Sequence, residues 1–145
     1  MEGIRILSVY CQVLCDKKKR EDVFDYFRNK KYNIYCLQDT HFTQNEENAI
    51  EVLWGYKCFH STQTSNSRGV SILFNNNFEF KVLKVKDMEG NYVALDVVIE
   101  THKLTLISLS MDQILTPQTF MNKFQLLLMI LETLHALFVE ISTLF

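Results

Sequence analysis

The chain has few of the residues that interrupt or cross-link a fold. Its 145 residues include one proline, Pro117, and four glycines, which argues against a disordered linker or a low-complexity protein. The four cysteines form no Cys-x-x-Cys pair and no zinc-ligand spacing: Cys11, Cys15, Cys36 and Cys58. We therefore expect reduced thiols in an intracellular protein of the nucleus or cytoplasm. The first residues, MEGIRILSVY, do not follow the pattern of a secretory signal, and none is expected.

Neither sign of charge predominates. Fifteen basic and 17 acidic residues give a formal net charge of −2, so the composition does not predict a positive field around the whole protein. Any contact with phosphates would have to be local or mediated by a metal ion. The basic run KKKR at residues 17–20 opens a predicted helix. It is interpreted either as a solvated helix start or as a site of phosphate contact or nuclear import.

Apolar residues, in contrast, make up 48% of the chain, which is enough for the core of one domain. The patterns predict strands over residues 4–9, 34–37, 56–60, 70–74, 78–85, 92–99 and 104–109, and helices over residues 18–30 and 43–54. Thr43 and Glu46 form a capping box for the second helix, and Gly55 closes it. Two βα units followed by hairpins indicate an α/β fold with mixed sheets and helices on the outer faces.

The composition changes at Pro117. Residues 118–143 are predicted as a helix whose apolar surface is wider than one face, and Glu132, His135 and Glu140 interrupt it. A membrane span needs about 20 apolar residues, so a helix that covers the domain is favoured over a membrane anchor. We thus divide the chain into a domain over residues 1–117 and an apolar helix over residues 118–145. The alternatives are recruitment of a partner through this helix and membrane association.

Asp39 is the main candidate for a functional side chain. It follows the apolar run IYCL at residues 34–37, which is typical of a buried strand. Ligands of open α/β sheets bind at the carboxyl ends of strands, so an acid at this point is a candidate for chemistry. The alternative is an aspartate that only ends the strand or caps the next helix. His60, near the end of the third strand, is interpreted as a half-buried strand residue and not as a ligand.

Several short motifs follow one another in a recognisable order. They are ILSVYCQVL at residues 6–14, LQDTH at residues 37–41, RGVSIL at residues 68–73 and LTLISL at residues 104–109. Together they resemble the endonuclease/exonuclease/phosphatase superfamily, specifically the apurinic-endonuclease-like domain of LINE-type retrotransposons. The resemblance covers roughly residues 4–124. It implies a partial four-layer α/β sandwich that hydrolyses phosphodiesters of DNA with Mg²⁺ or Mn²⁺.

The resemblance also suggests roles for individual residues. Asp39 stands where the family places its metal-binding glutamate, but its side chain is one methylene shorter. Hard cations take carboxylate ligands at such strand ends, so Asp39 is the expected metal ligand. His41 matches the family's histidine after that acid, and its alternative role is a hydrogen bond to the neighbouring loop backbone. Arg68 is interpreted either as a phosphate contact or as an exposed arginine at the start of a strand. Neither His41 nor Arg68 is assigned as catalytic.

The sequence departs from the family at further positions. Tyr10 replaces an asparagine, Val13 replaces a glycine, and SMDQ at residues 110–113 replaces Tyr-Gly-Pro-Asn. Asp112, within that stretch, is not assigned a role. The family's later Gly-Asp-Phe-Asn and Ser-Asp-His motifs do not follow, so we expect the C-terminal half of the domain to be missing and the chain to be inactive. A partial domain would expose sheet edges and apolar surface, which favours self-association.

Overall fold

The computed structural model describes residues 4–11, 14, 16–62, 69–76, 79–88, 92–109 and 137–143. Within them the strands are β1 (Ile4–Tyr10), β2 (Ile34–Gln38), β3 (Cys58–Ser61), β4 (Val70–Phe74), β5 (Lys81–Met88), β6 (Tyr92–Ile99), β7 (His102–Leu109) and β8 (Leu137–Thr143). The helices are α1 (Lys17–Asn29) and α2 (Glu47–Trp54), and a 3₁₀ turn over Gln44–Glu46 leads into α2. The α/β class predicted from the sequence is confirmed.

The strands form a large sheet and a small sheet. The large sheet has the order β3-β4-β2-β1-β8, in which β1 runs parallel to both β2 and β8, whereas β4 runs antiparallel to β2 and β3. The small sheet is an antiparallel meander of β5, β6 and β7. The early βα units therefore build the parallel part of the large sheet, and the later hairpins build the small one.

Alternating residues of β1, β2 and β4 give the large sheet two apolar faces. One face packs against α1 and α2 and forms a core that includes Leu7, Val9, Phe24, Phe27, Tyr35, Leu37, Ile50, Trp54 and Leu73. The other face packs against β6 and β7 and includes Ile4, Ile6, Ile34, Cys36, Ile72, Phe74, Val93, Leu95, Val97, Leu104 and Leu106. The described residues thus stack in three layers: helices, large sheet and small sheet.

Both helices begin with a capping interaction. Asp16 caps α1 by accepting a hydrogen bond from the Lys19 backbone N–H at 2.7 Å. The capping box of Thr43 and Glu46 is present before α2, and Gly55 ends that helix with a φ of 88°. The signals at the two ends of α2 were predicted correctly because each satisfies backbone groups that the helix itself leaves unpaired.

Some predicted elements need correction. The helix predicted over residues 118–143 is wrong at Leu137–Thr143, which form strand β8 beside β1. A sequence that is apolar on all sides is compatible with either a buried strand or a buried helix. In this segment, pairing with β1 determines that a strand forms. Residues 118–136 and the boundary at Pro117 lie outside the described residues. Strand β5 begins at Lys81, three residues later than predicted, and β3 begins at Cys58.

Candidate functional site

The candidate site lies at the carboxyl ends of the parallel strands β1 and β2. The last pair in their register is Tyr10 with Gln38, and the Cys11 backbone N–H donates to the Gln38 carbonyl at 2.9 Å. This hydrogen bond extends the pairing of the two strands by one residue beyond the end of β1. Asp39 is the first residue after β2 at this end. The structure therefore places Asp39 at the sheet edge that the sequence predicted.

Asp39 and His41 form a pair at this edge. Asp39 Oδ1 lies 2.6 Å from His41 Nε2, and the two side chains are 21% and 24% exposed. Because a carboxylate only accepts hydrogen bonds, the ring carries a proton on Nε2. Both residues have left-handed backbone conformations, with φ of 56° and 60°, which aspartate and histidine tolerate better than most residues. The result is a solvent-accessible carboxylate bonded to an imidazole.

Thr40, between the members of this pair, is held from two sides. Its backbone N–H donates to the Gly69 carbonyl at 3.1 Å, and its carbonyl accepts from the Leu14 N–H at 2.8 Å. Gly69 has a φ of 101°, and a Cβ added there would lie 2.7 Å from Thr40 Oγ1. Glycine is therefore needed at this position both for its backbone conformation and for the close approach of the loop.

A buried polar network supports the strand end before Asp39. Gln38 Nε2 donates to Ser108 Oγ at 3.1 Å and to the Cys36 carbonyl at 3.2 Å, and Ser8 Oγ donates to Gln38 Oε1 at 3.3 Å. Ser108 Oγ in turn donates to the Leu37 carbonyl at 3.0 Å. This network ties the large sheet to β7 of the small sheet. This network was not predicted from the sequence, although polar residues inside otherwise apolar strands were the available signal.

The basic run at the start of α1 divides into side chains with different roles. Lys18 is exposed and pairs with Asp22 at 3.1 Å, as a solvated helix start would. Lys19 Nζ instead donates to the Cys11 carbonyl at 3.2 Å, which brings an ammonium group to the carboxyl end of β1. Arg20 is buried: its Nη2 donates to Glu46 Oε2 at 2.7 Å and its Nε to the Leu14 carbonyl at 3.0 Å. Within the run, Lys19 is thus the residue that lies at the candidate site, and the phosphate contact suggested for the run stays a prediction.

The thiol of Cys11, just after β1, is fully buried. Burial raises the pKa of Cys11 well above its usual range; the Lys19 charge lowers this pKa and the Asp39 charge raises it. Burial also raises the pKa of Cys36 and of Cys58 to about 12. All three are free buried thiols, whereas Cys15 lies outside the described residues.

His60 does not join the candidate site and behaves as the half-buried strand residue that was predicted. Its Nδ1 lies 2.6 Å from Ser71 Oγ on β4, and its ring meets Phe42 edge-on. Its Nε2 is buried without a hydrogen-bond partner among the described residues. Burial lowers the pKa of His60 to about 4, so the ring is neutral at physiological pH.

The pair of Asp39 and His41 does not extend to a larger cluster of metal-ligating side chains in the part of the chain that the structure describes. In that part, no three His, Cys, Asp or Glu side chains come close enough to form a metal-binding group. Arg68 and Asp112 lie outside the described residues. No described helix has both the length and the apolar character needed to cross a membrane. A scan against protein-family models finds no match to this chain.

Proposed function

We propose that the chain is an endonuclease-like domain of the endonuclease/exonuclease/phosphatase type that binds Mg²⁺ or Mn²⁺ through Asp39 and contacts DNA without cutting it. The observation that carries the proposal is the position of Asp39, a partly exposed carboxylate beside the ends of two parallel strands. The order of helices, large sheet and small sheet supports it. The four-layer arrangement that the resemblance implies stays a prediction, because the described residues account for three layers.

The residues at this edge fit a weakly held cation. Mg²⁺ is commonly bound by one or two carboxylates together with substrate phosphates, so one carboxylate is sufficient when phosphate supplies further oxygens. A bound cation would offset the negative charge of those phosphate oxygens. Asp39 Oδ1 already accepts a hydrogen bond from His41, so a cation must compete with that ring. The Lys19 ammonium offers a direct contact to phosphate from α1.

The departures at the strand ends favour binding without hydrolysis. Tyr10, the residue of β1 that pairs with Gln38, stands where the family has an asparagine, and its phenol offers no amide to a cation or phosphate. The shorter side chain of Asp39 sets the carboxylate back by one methylene relative to glutamate. Hydrolysis requires a base aligned on the attacking water as well as a cation, and small displacements reduce the rate strongly.

A plasmid assay tests the non-cutting part of the proposal. Supercoiled plasmid is incubated with the protein in Mg²⁺ and, separately, in Mn²⁺, and nicked circles are measured on a gel. We expect the plasmid to stay supercoiled. Nicking that requires the metal, is lost in Asp39→Ala and persists in the matched variant Asp22→Ala would overturn this expectation. Asp22 is a suitable control because it is exposed on α1 and pairs only with Lys18 among the described residues.

The second candidate function is that of a non-catalytic interaction module. The apolar C-terminal helix on which this alternative was based is wrong at Leu137–Thr143, but exposed apolar side chains on β5 favour self-association. Leu83 and Val85 are 49% and 46% exposed on a strand at the edge of the small sheet. Light scattering that shows a clean monomer at high protein concentration would contradict this candidate.

A further inference from the structure

The outer face of the small sheet is defined by its strand register. Val93, Leu95 and Val97 of β6 are buried against the large sheet, so the residues between them face the opposite side. Residues directly opposite each other in an antiparallel ladder share a face. The outer face therefore contains the rows Lys81-Val98-Lys103, Lys84-Asp96-Thr105 and Lys86-Ala94-Ile107. We call these nine residues the outer sheet face.

Positive charge dominates this face. Its lysines, all exposed, are Lys81, Lys84, Lys86 and Lys103. Asp96 is its one acid, and Asp96 Oδ1 accepts a hydrogen bond from Thr105 Oγ1 at 2.8 Å. Asp87 pairs with Val93 and so lies on the other side of β5. Glu79 and Glu100 lie outside the strands, at the Lys81 end of the face. The formal net charge of −2 for the whole chain thus conceals a local basic surface.

The lysines form one column on β5, with Lys103 across the sheet on β7, and the strip of β6 between them carries Ala94, Asp96 and Val98. Lys84 and Lys86 are two residues apart on one strand, about 7 Å, whereas β5 and β7 are separated by two strand spacings, about 10 Å. Ala94, Val98 and Ile107 lie partly exposed among them. Tyr92 follows on the same side of β6. Ammonium groups that flank apolar and aromatic surface suit a ligand with both anionic and flat apolar parts.

We propose that the outer sheet face binds single-stranded nucleic acid, with phosphates on the lysines and bases against the strip. Unpaired bases can lie on such a surface, whereas the bases of a duplex are stacked within it. The contact does not use Asp39 and goes beyond the function proposed above. A nucleic-acid strand that bound here would also be held close to the domain while the strand-end site engaged a phosphate.

The expected affinity follows from counterion release. Each lysine that neutralises a phosphate of a single strand contributes about 0.7 to the dependence of log K on log salt. Four contacts give a slope of about −3, and loss of two contacts reduces it by about 1.4. At about 50 mM salt, counterion release raises the association constant about eightfold for each lysine–phosphate contact. Loss of the contacts of Lys84 and Lys86 therefore weakens binding about 60-fold.

Fluorescence anisotropy with a fluorescein-labelled single-stranded oligonucleotide measures these quantities. The titrations are carried out in EDTA, so a cation at Asp39 does not contribute and failure of the proposed function leaves the result unaffected. We expect Lys84→Glu/Lys86→Glu to lose about 60-fold in affinity and part of the salt slope. The matched control Lys30→Glu/Lys31→Glu makes the same change of charge at exposed lysines elsewhere and should change affinity little.

Asp96→Asn provides a test in the opposite direction. Removal of the central carboxylate from the outer sheet face should strengthen binding about fivefold at low salt, a gain that damage to the fold does not mimic. Equal losses in both lysine double variants would overturn the proposal, as would unchanged affinity in Asp96→Asn. Tighter binding of duplex than of single strand, or binding only to vesicles of anionic lipid, would also overturn it.

Discussion

Acid should destabilise the protein through His60, because the ring binds a proton more readily in the unfolded chain than in its buried position in the folded protein. The ring Nδ1 bonds to Ser71 Oγ, and the buried Nε2 has no partner among the described residues to stabilise a positive charge. Burial lowers the pKa of His60 from 6.5 to about 4. Protonation of the folded state would therefore leave a charged imidazolium between β3, β4 and Phe42.

The size of the effect follows from the difference between the two pKa values. Above the unfolded pKa both states are neutral at His60, and the group adds no dependence on pH. As the pH falls below 6.5, the unfolded chain binds a proton that the folded chain does not, so the free energy of unfolding decreases. The loss amounts to about 2 kcal/mol at about pH 5 and about 3 kcal/mol at about pH 4.

Urea unfolding of the wild type and of His60→Asn measures this loss. Trp54, the one tryptophan of the chain, is buried and donates from Nε1 to the Phe74 carbonyl at 2.9 Å, so its fluorescence reports unfolding. Asparagine keeps a polar group near Ser71 but does not titrate, and its own cost is the same at every pH. The stability difference between the two proteins should shift by about 2 kcal/mol between about pH 7.5 and about pH 5. Parallel pH curves would refute the assignment.

Two further predictions concern the loops around the candidate site. Gly69→Ala should lower the free energy of unfolding by about 2 kcal/mol, because the new Cβ meets Thr40 Oγ1. Gly55→Ala should lower it by about 1 kcal/mol, because Gly55 has a φ of 88° but open space around it. Equal losses in urea unfolding would contradict the close packing at Thr40. Arg20→Met should cost about 3 kcal/mol, because Glu46 and the Leu14 carbonyl lose their partner, and the exposed Lys18→Met should change stability little. A thermal melt in which both variants behave alike would contradict the structural role of Arg20.

The parts of the fold that were predicted correctly are those in which local signals agree with tertiary packing. Strands β2, β4 and β6 are rich in β-branched and aromatic residues, and the alternation in β6 matches its one buried face. The ends of α2 were predicted because Thr43, Glu46 and Gly55 cap the helix through contacts with residues close to them in the sequence. Asp39 was placed correctly because the end of an apolar run marks the end of a buried strand.

The parts that could not be predicted depend on contacts between distant segments. Strand β8 takes its conformation from β1, more than 120 residues earlier, while its own sequence is compatible with a helix. The network of Gln38 with Ser8 and Ser108 joins strands from both sheets. Lys19 reaches the candidate site only because α1 packs against the end of β1, which a charge run in the sequence does not reveal.

The most direct test of the cation site is a titration with Mn²⁺ that follows the imidazole C–H signals by proton NMR. A bound paramagnetic ion broadens nearby signals, and the His41 ring lies 2.6 Å from the proposed ligand oxygen. We predict that the His41 signals broaden before those of the half-buried His60 and the exposed His102, and that Asp39→Asn abolishes this preference. Broadening of His41 that is unchanged in Asp39→Asn, or that begins at another histidine, would contradict the account.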